Sequence, residues 1–152
     1  MSTPHPTPPP CSTGKGDSPT PAYAGNTLTA SAHDARSLLA PDDLMAVTAT
    51  LAERQPDLTW VTAERLVVEA LKFVATAARS TEELVPSALV DAGWHALIVN
   101  TEIYQGLCMR LGSFVHHYPA VAGAELPASG WQARTTAAIE QVGFTIDPGL
   151  WT

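Results

Sequence analysis

The sequence predicts an all-α fold: a small antiparallel helical bundle of about four helices, carried behind a disordered proline-rich N-terminal arm. Three observations lead to this expectation. Apolar residues recur three and four positions apart through separate segments, which is the spacing of one helix face. Prolines and glycines mark most of the ends of those segments, where they start and stop helices. Seven of the 13 prolines fall within the first 21 residues, mixed with Ser, Thr and Gly.

Residues 1–31 hold Pro4, Pro6, Pro8, Pro9, Pro10, Pro19 and Pro21. Few large apolar groups are available there to offset the entropy of ordering the chain. The arm is expected to sample polyproline II and coil. It reads as a solubilising tail, or alternatively as a ligand for a module that recognises polyproline II. Residues 32–152 are expected to form one helical domain, large enough to bury a core.

The first helix is expected to begin near Pro41, with Asp42 and Asp43 complementing its N-terminus. Leu44, Val47 and Leu51 form its apolar stripe, and Pro56 ends it by pushing Gln55 out of helical geometry. The second helix is expected from about Leu58 to Arg79. Trp60, Ala63, Val67, Ala70, Leu71, Val74 and Ala77 share one face, and Glu64, Glu69, Lys72 and Arg79 supply the polar side. Ser80-Thr81-Glu82-Glu83 reads as a loop or a new helix start.

The third helix is expected to be the longest, from about Pro86 to Leu111, with Gly112 as its C-terminal stop. Gly93 and Gly106 lie inside it at a cost of about 1 kcal/mol each relative to Ala. Their expected use is close approach of another helix, or a bend at Gly106. Tyr118 to Gly130 reads as a loop. The fourth helix covers about Trp131 to Gln141, with Ser129 as the cap and Gly143 just past the end. The apolar tail Phe144-Thr145-Ile146-Asp147-Pro148 is expected to pack back on the bundle.

Charge and composition narrow the function classes. The formal net charge is −7, and the 8 Lys and Arg are scattered. A binder of phosphate backbones or anionic membranes needs a basic stripe, so neither nucleic acid nor a membrane is an expected partner. No apolar run approaches a membrane-spanning length, and the N-terminus lacks the features of a secretory signal. The expected location is the cytoplasm. The two cysteines, Cys11 and Cys108, fall one in the arm and one in the domain, which argues against a structural disulfide. No CxxC pair exists, which excludes a zinc ribbon.

The chemistry concentrates in the third helix and the turn after it. At 100° per residue, Trp94, Leu97, Thr101, Tyr104 and Cys108 form one stripe that reads as core. Asp91, His95, Ile98 and Glu102 form the neighbouring stripe. An Asp four residues before a His can accept the ring N–H and free the other nitrogen for a metal or a proton. The alternative is an Asp-His pair that only pins the helix. His116 and His117 follow, and adjacent residues point apart in extended chain, so one centre would take only one of them. A polar turn with stacked rings is the alternative there.

Geometry limits whether His95 can share a site with this pair. A helix unbroken to Leu111 rises about 24 Å from His95, while the residues from Leu111 to His116 return at most ~18 Å. A helix that ends or bends near Gly106 to Cys108 rises ~20 Å and allows a return of ~28 Å. A shared site therefore requires the helix to end or bend early, near Gly106 to Cys108.

The stretch Val90-Asp91-Ala92-Gly93-Trp94-His95, then Thr101, Tyr104 and Cys108, then Gly112-Ser113-Phe114-Val115-His116-His117-Tyr118-Pro119 resembles the helical N-terminal region of the glycine-rich domain-containing protein family. That family repeats a D-x-x-W-H helix, a tyrosine and cysteine two to three turns on, and a G-x-(F/L)-x-H-(H/D)-x-P turn. Short high-GC bacterial proteins carry a similar core, and the similarity to them runs from about Pro41 to Trp151. Longer members read W-H-x-H, where this sequence has Leu97. The resemblance implies that Asp91, His95, Cys108 and His116 act as a unit, and it implies no reaction.

The leading expectation is a small metal-binding protein whose ligands come from His95, His116, His117, Asp91 and Cys108. His and carboxylate suit zinc or iron, and a thiolate favours zinc or copper. A second reading is a metal-free interaction or accessory module for an unknown protein partner. A third is a thiol enzyme with Cys108 as thiolate and His116 or His117 as base, which requires Cys108 to be partly exposed beside a histidine.

Overall fold

The computed structural model describes residues 34–118 and 129–152. Among these residues the fold is all-α: five α-helices, two short 3-10 turns and no strand. The helices are α1 (Pro41–Arg54), α2 (Trp60–Ala77), α3 (Ala88–Val99), α4 (Thr101–Leu111) and α5 (Trp131–Gln141). The proline-rich arm and most of the loop expected between Tyr118 and Gly130 lie outside the described residues.

α2 is the central element. It packs against α1, α3, α5 and the 3-10 turn Ala35–Leu38. Leu66, Val67, Ala70, Leu71, Phe73 and Val74 are all buried, so α2 is apolar around most of its circumference, as a helix enclosed by others must be. Thr59 caps its N-terminus, its side chain accepting from the Thr62 N–H. Trp60, expected on the core face, is 45% exposed. It is the first residue of the helix.

Glu69 reverses the expectation for the polar side, being 1% exposed. Its burial is offset by two partners: Lys72 pairs with Oε1, and the Trp151 indole N–H donates to Oε2 at 2.8 Å. A buried carboxylate is tolerated only when paired and hydrogen-bonded in this way. The tail does pack back on the bundle, with Phe144, Leu150 and Trp151 buried. Arg65 Nε donates to Asp147 at 2.9 Å, and Lys72 Nζ donates to the Thr145 carbonyl at 2.6 Å.

α3 begins at the Ser87 cap. The Ser87 hydroxyl accepts from the Val90 N–H at 3.1 Å and donates to the Leu150 carbonyl at 2.6 Å. Gly93 lets α2 and α3 approach closely, because a Cβ built there would sit 2.6 Å from the Leu66 carbonyl oxygen. Gly106 has no such role: a Cβ there would meet only the Arg110 guanidinium, at 3.5 Å.

The long helix expected from Pro86 to Leu111 is two helices. The interruption lies at Asn100 (φ −86°, ψ 68°) and not at Gly106. The Asn100 side-chain amide donates to the Ala96 carbonyl at 2.8 Å and to Thr50 Oγ1 on α1 at 3.0 Å. A short amide side chain competes with the helical ladder for backbone partners, and here it also ties the break to α1. The Asn100 carbonyl then accepts from the Tyr104 N–H at 2.9 Å and starts α4. α4 ends as expected at Gly112, in the left-handed region at φ 83°. α5 is not capped by Ser129. Its N-cap is Gly130 at φ 100°, with no side-chain bond.

Candidate metal centre

Asp91 and His95 lie four residues apart on α3 and so share one face of it. Their closest approach is 3.4 Å, from His95 Nε2 to Asp91 Oδ2. The third member comes from the segment after α4. Trp94, buried between Phe73 and this segment, donates its indole N–H to the Tyr104 hydroxyl at 3.0 Å. Tyr104 in turn donates to the Val115 carbonyl. Two residues further on, His117 meets Trp94 edge-on, with centroids 4.5 Å apart, and His95 at 4.4 Å.

Burial pushes the Tyr104 hydroxyl well above the ordinary phenol range; the Trp94 N–H acts in the opposite direction, and Cys108 adds to the increase. Tyr104 therefore stays protonated and keeps its donor for Val115.

His117 Nε2 lies 2.9 Å from His95 Nε2 and 2.9 Å from Asp91 Oδ1. A ring nitrogen carries either one proton or one lone pair. One proton on His117 Nε2 would have to serve both neighbours, whereas a lone pair there would face the carboxylate. A cation among the three atoms removes this conflict by accepting from all of them. The set is accessible from one side: the side chains of Asp91, His95 and His117 are 35%, 48% and 16% exposed.

Among the described residues, this trio forms one group of candidate metal ligands. The other two candidates from the sequence lie apart from it. His116 is exposed, its ring 4.8 Å from Phe114 and 6.3 Å from Tyr118. Cys108 is 2% exposed and lies against Tyr104, so it is not the partly exposed thiol that the Cys-His reading requires. Exposure alternates along 114–118, with Val115 and His117 turned inward and Phe114, His116 and Tyr118 outward. That alternation selects His117 over His116.

Sequence reasoning missed Asn100, which makes the site reachable. An asparagine in the middle of an apolar helical run is a poor helix former, and that was the available signal. The spacing places Trp94 and Tyr104 on one stripe but gives no sign of the tie through Tyr104 to Val115.

The family model described as UCP032817-like matches residues 43–133. That stretch is more than half of the chain and contains every residue of the candidate centre. The description names no activity, and it carries no reference to a glycine-rich domain. No curated protein and no solved structure matches the chain.

Proposed function

We propose that this chain, which belongs to the UCP032817-like family, is a small helical metal-binding protein that holds one divalent first-row ion on Asp91, His95 and His117. The observation that carries this reading is the convergence of three ligand side chains from two separate segments: His117 Nε2 lies 2.9 Å from both His95 Nε2 and Asp91 Oδ1, and His95 Nε2 lies 3.4 Å from the other carboxylate oxygen, Asp91 Oδ2. Bonds of about 2.1 Å to a common ion would put ligand atoms roughly 3.0 Å apart at right angles and roughly 3.4 Å apart in a tetrahedron. The two 2.9 Å separations, which share His117 Nε2, are close to the first of these spacings.

Two imidazoles and one carboxylate suit zinc or Fe(II). With Cys108 outside the group, the thiolate argument for copper no longer applies. Three protein ligands leave coordination positions open, on the side where His95 meets solvent. No reaction is assigned to those positions.

A second reading, a metal-free interaction module, is favoured by a different observation. Met109 and Phe114, 75% and 51% exposed, line one groove. In that reading the trio serves only to pin residues 113–118 onto α3.

Metal analysis by mass spectrometry of the full chain, purified without chelator and then incubated with Zn(II) or Fe(II), separates the two. The expected result is close to one ion per chain, lost in Asp91→Asn, His95→Ala and His117→Ala and retained in His116→Ala. Folded wild-type protein that takes up no ion would overturn the metal reading and leave the interaction module.

A further inference from the structure

A groove of about 720 Å³ opens between α4 and the segment that follows it, with Tyr104, Gln105, Met109, Phe114, Val115 and His116 among its walls. Tyr104 and Phe114 meet edge-on there at 5.5 Å, and Phe114 continues to His116 at 4.8 Å. The rings therefore form a ladder along one wall. The lining contains no Lys, Arg, Asp or Glu, although the chain as a whole carries a net charge of −7. It does contain side-chain donors, in Gln105, Thr101 and Ser113.

Neutral grooves walled by aromatic rings and supplied with donors are the surfaces that recognise polyproline II segments. Such a segment presents flat proline rings to the aromatics and unpaired backbone carbonyls to the donors. We infer that this groove is the docking site for the chain's own N-terminal proline cluster, centred on Pro8-Pro9-Pro10.

Two facts select this occupant. The 33 residues before Asp34 supply the cluster, and Met1 to Thr13 contain no Lys, Arg, Asp or Glu, so an uncharged segment meets an uncharged groove. The tether is long enough as well. Pro10 and Asp34 are 24 positions apart, and a chain of that length can reach up to ~80 Å, well beyond the roughly 35 Å width of a domain of this size. Covalent attachment raises the local concentration of the cluster to the millimolar range typical of short tethers, so modest intrinsic affinity suffices. His117 of the trio also lines the groove, so the test is made on metal-free protein.

Cys11 directly follows the cluster, while Cys108 is buried, so a thiol-reactive nitroxide on the full chain modifies Cys11 selectively. With the chain labelled with ¹⁵N, the expected result is loss of the amide signals of Met109, Gly112, Phe114 and His116 at every protein concentration. Those signals return in Phe114→Asp and in the triple variant Pro8→Ser, Pro9→Ser, Pro10→Ser. Phe114 is half exposed, so its replacement leaves the core intact, which helical circular dichroism verifies. No selective loss would overturn the inference, as would loss that persists in the triple-serine variant. Loss seen only when nitroxide-bearing chains are mixed with separate ¹⁵N chains would overturn it in favour of docking by a second copy.

Discussion

The Nε2 atoms of His95 and His117 lie 2.9 Å apart across a separation of 22 positions. Two features produce this contact: the interruption at Asn100 and the hydrogen bond from Tyr104 to Val115. Each can be removed separately.

Replacing Asn100 with Ala deletes the bonds to Ala96 and Thr50 and favours a continuous helix. Stability is expected to fall by about 1–3 kcal/mol. Zinc uptake is expected to weaken with it, because a straighter helix carries residues 113–118 away from α3. Urea unfolding and a competitive zinc titration on the same samples check both parts. Unchanged zinc affinity in a folded variant would mean that the break does not position His117.

Tyr104→Phe removes the hydroxyl between the Trp94 N–H and the Val115 carbonyl. Tyr104 bonds the backbone two residues from His117 and not a ligand itself, so a loss of zinc affinity of about 10-fold, the low end for outer partners, is expected while His116→Ala leaves affinity unchanged. The same variant has a signature at high pH. The folded pKa of Tyr104 is raised by burial, so the hydroxyl's contribution is full below the unfolded value of about 10 and is lost as pH rises beyond it. Stability measured across the alkaline range should fall less steeply in Tyr104→Phe than in the wild type.

Lys72→Met leaves the Glu69 carboxylate buried with only the Trp151 N–H. Breaking a buried pair from one side costs about 3–5 kcal/mol. The double variant Lys72→Met, Glu69→Gln should recover part of that loss, since it removes the unpaired charge. Thermal unfolding of the two variants tests this, and equal stability of both would contradict the pairing.

The two helix glycines should respond oppositely to alanine. Gly93→Ala places a methyl 2.6 Å from the Leu66 carbonyl oxygen, so α2 and α3 must separate, at about 1–3 kcal/mol. Gly106→Ala meets only a flexible guanidinium at 3.5 Å and should stabilise by up to about 1 kcal/mol through helix propensity. Chemical denaturation of both variants reads the sign directly.

The helices were legible wherever a local rule governed them. Pro41 and Gln55 bound α1, Gly112 ends α4, and Trp131 to Gln141 form α5 as the apolar spacing and punctuation predict. Errors arose where a distant partner decided. Glu69 is polar by type and buried by virtue of Lys72 and Trp151. Asn100 breaks a run that periodicity alone reads as continuous, and its side chain reaches Thr50 on another helix.

The candidate centre divides in the same way. The sequence by itself determined the all-α class, the helix punctuation, and the placement of Asp91 and His95 on one face, because a fixed rotation per residue and the stereochemistry of proline and glycine are properties of the local chain. Only the tertiary structure decided that His117 joins them, that His116 faces outward and that Cys108 is sealed in the core. Those outcomes depend on the direction α4 takes after Asn100 and on the hydroxyl that ties Val115 to Tyr104. Both are contacts between residues far apart in sequence, to which periodicity and spacing are blind.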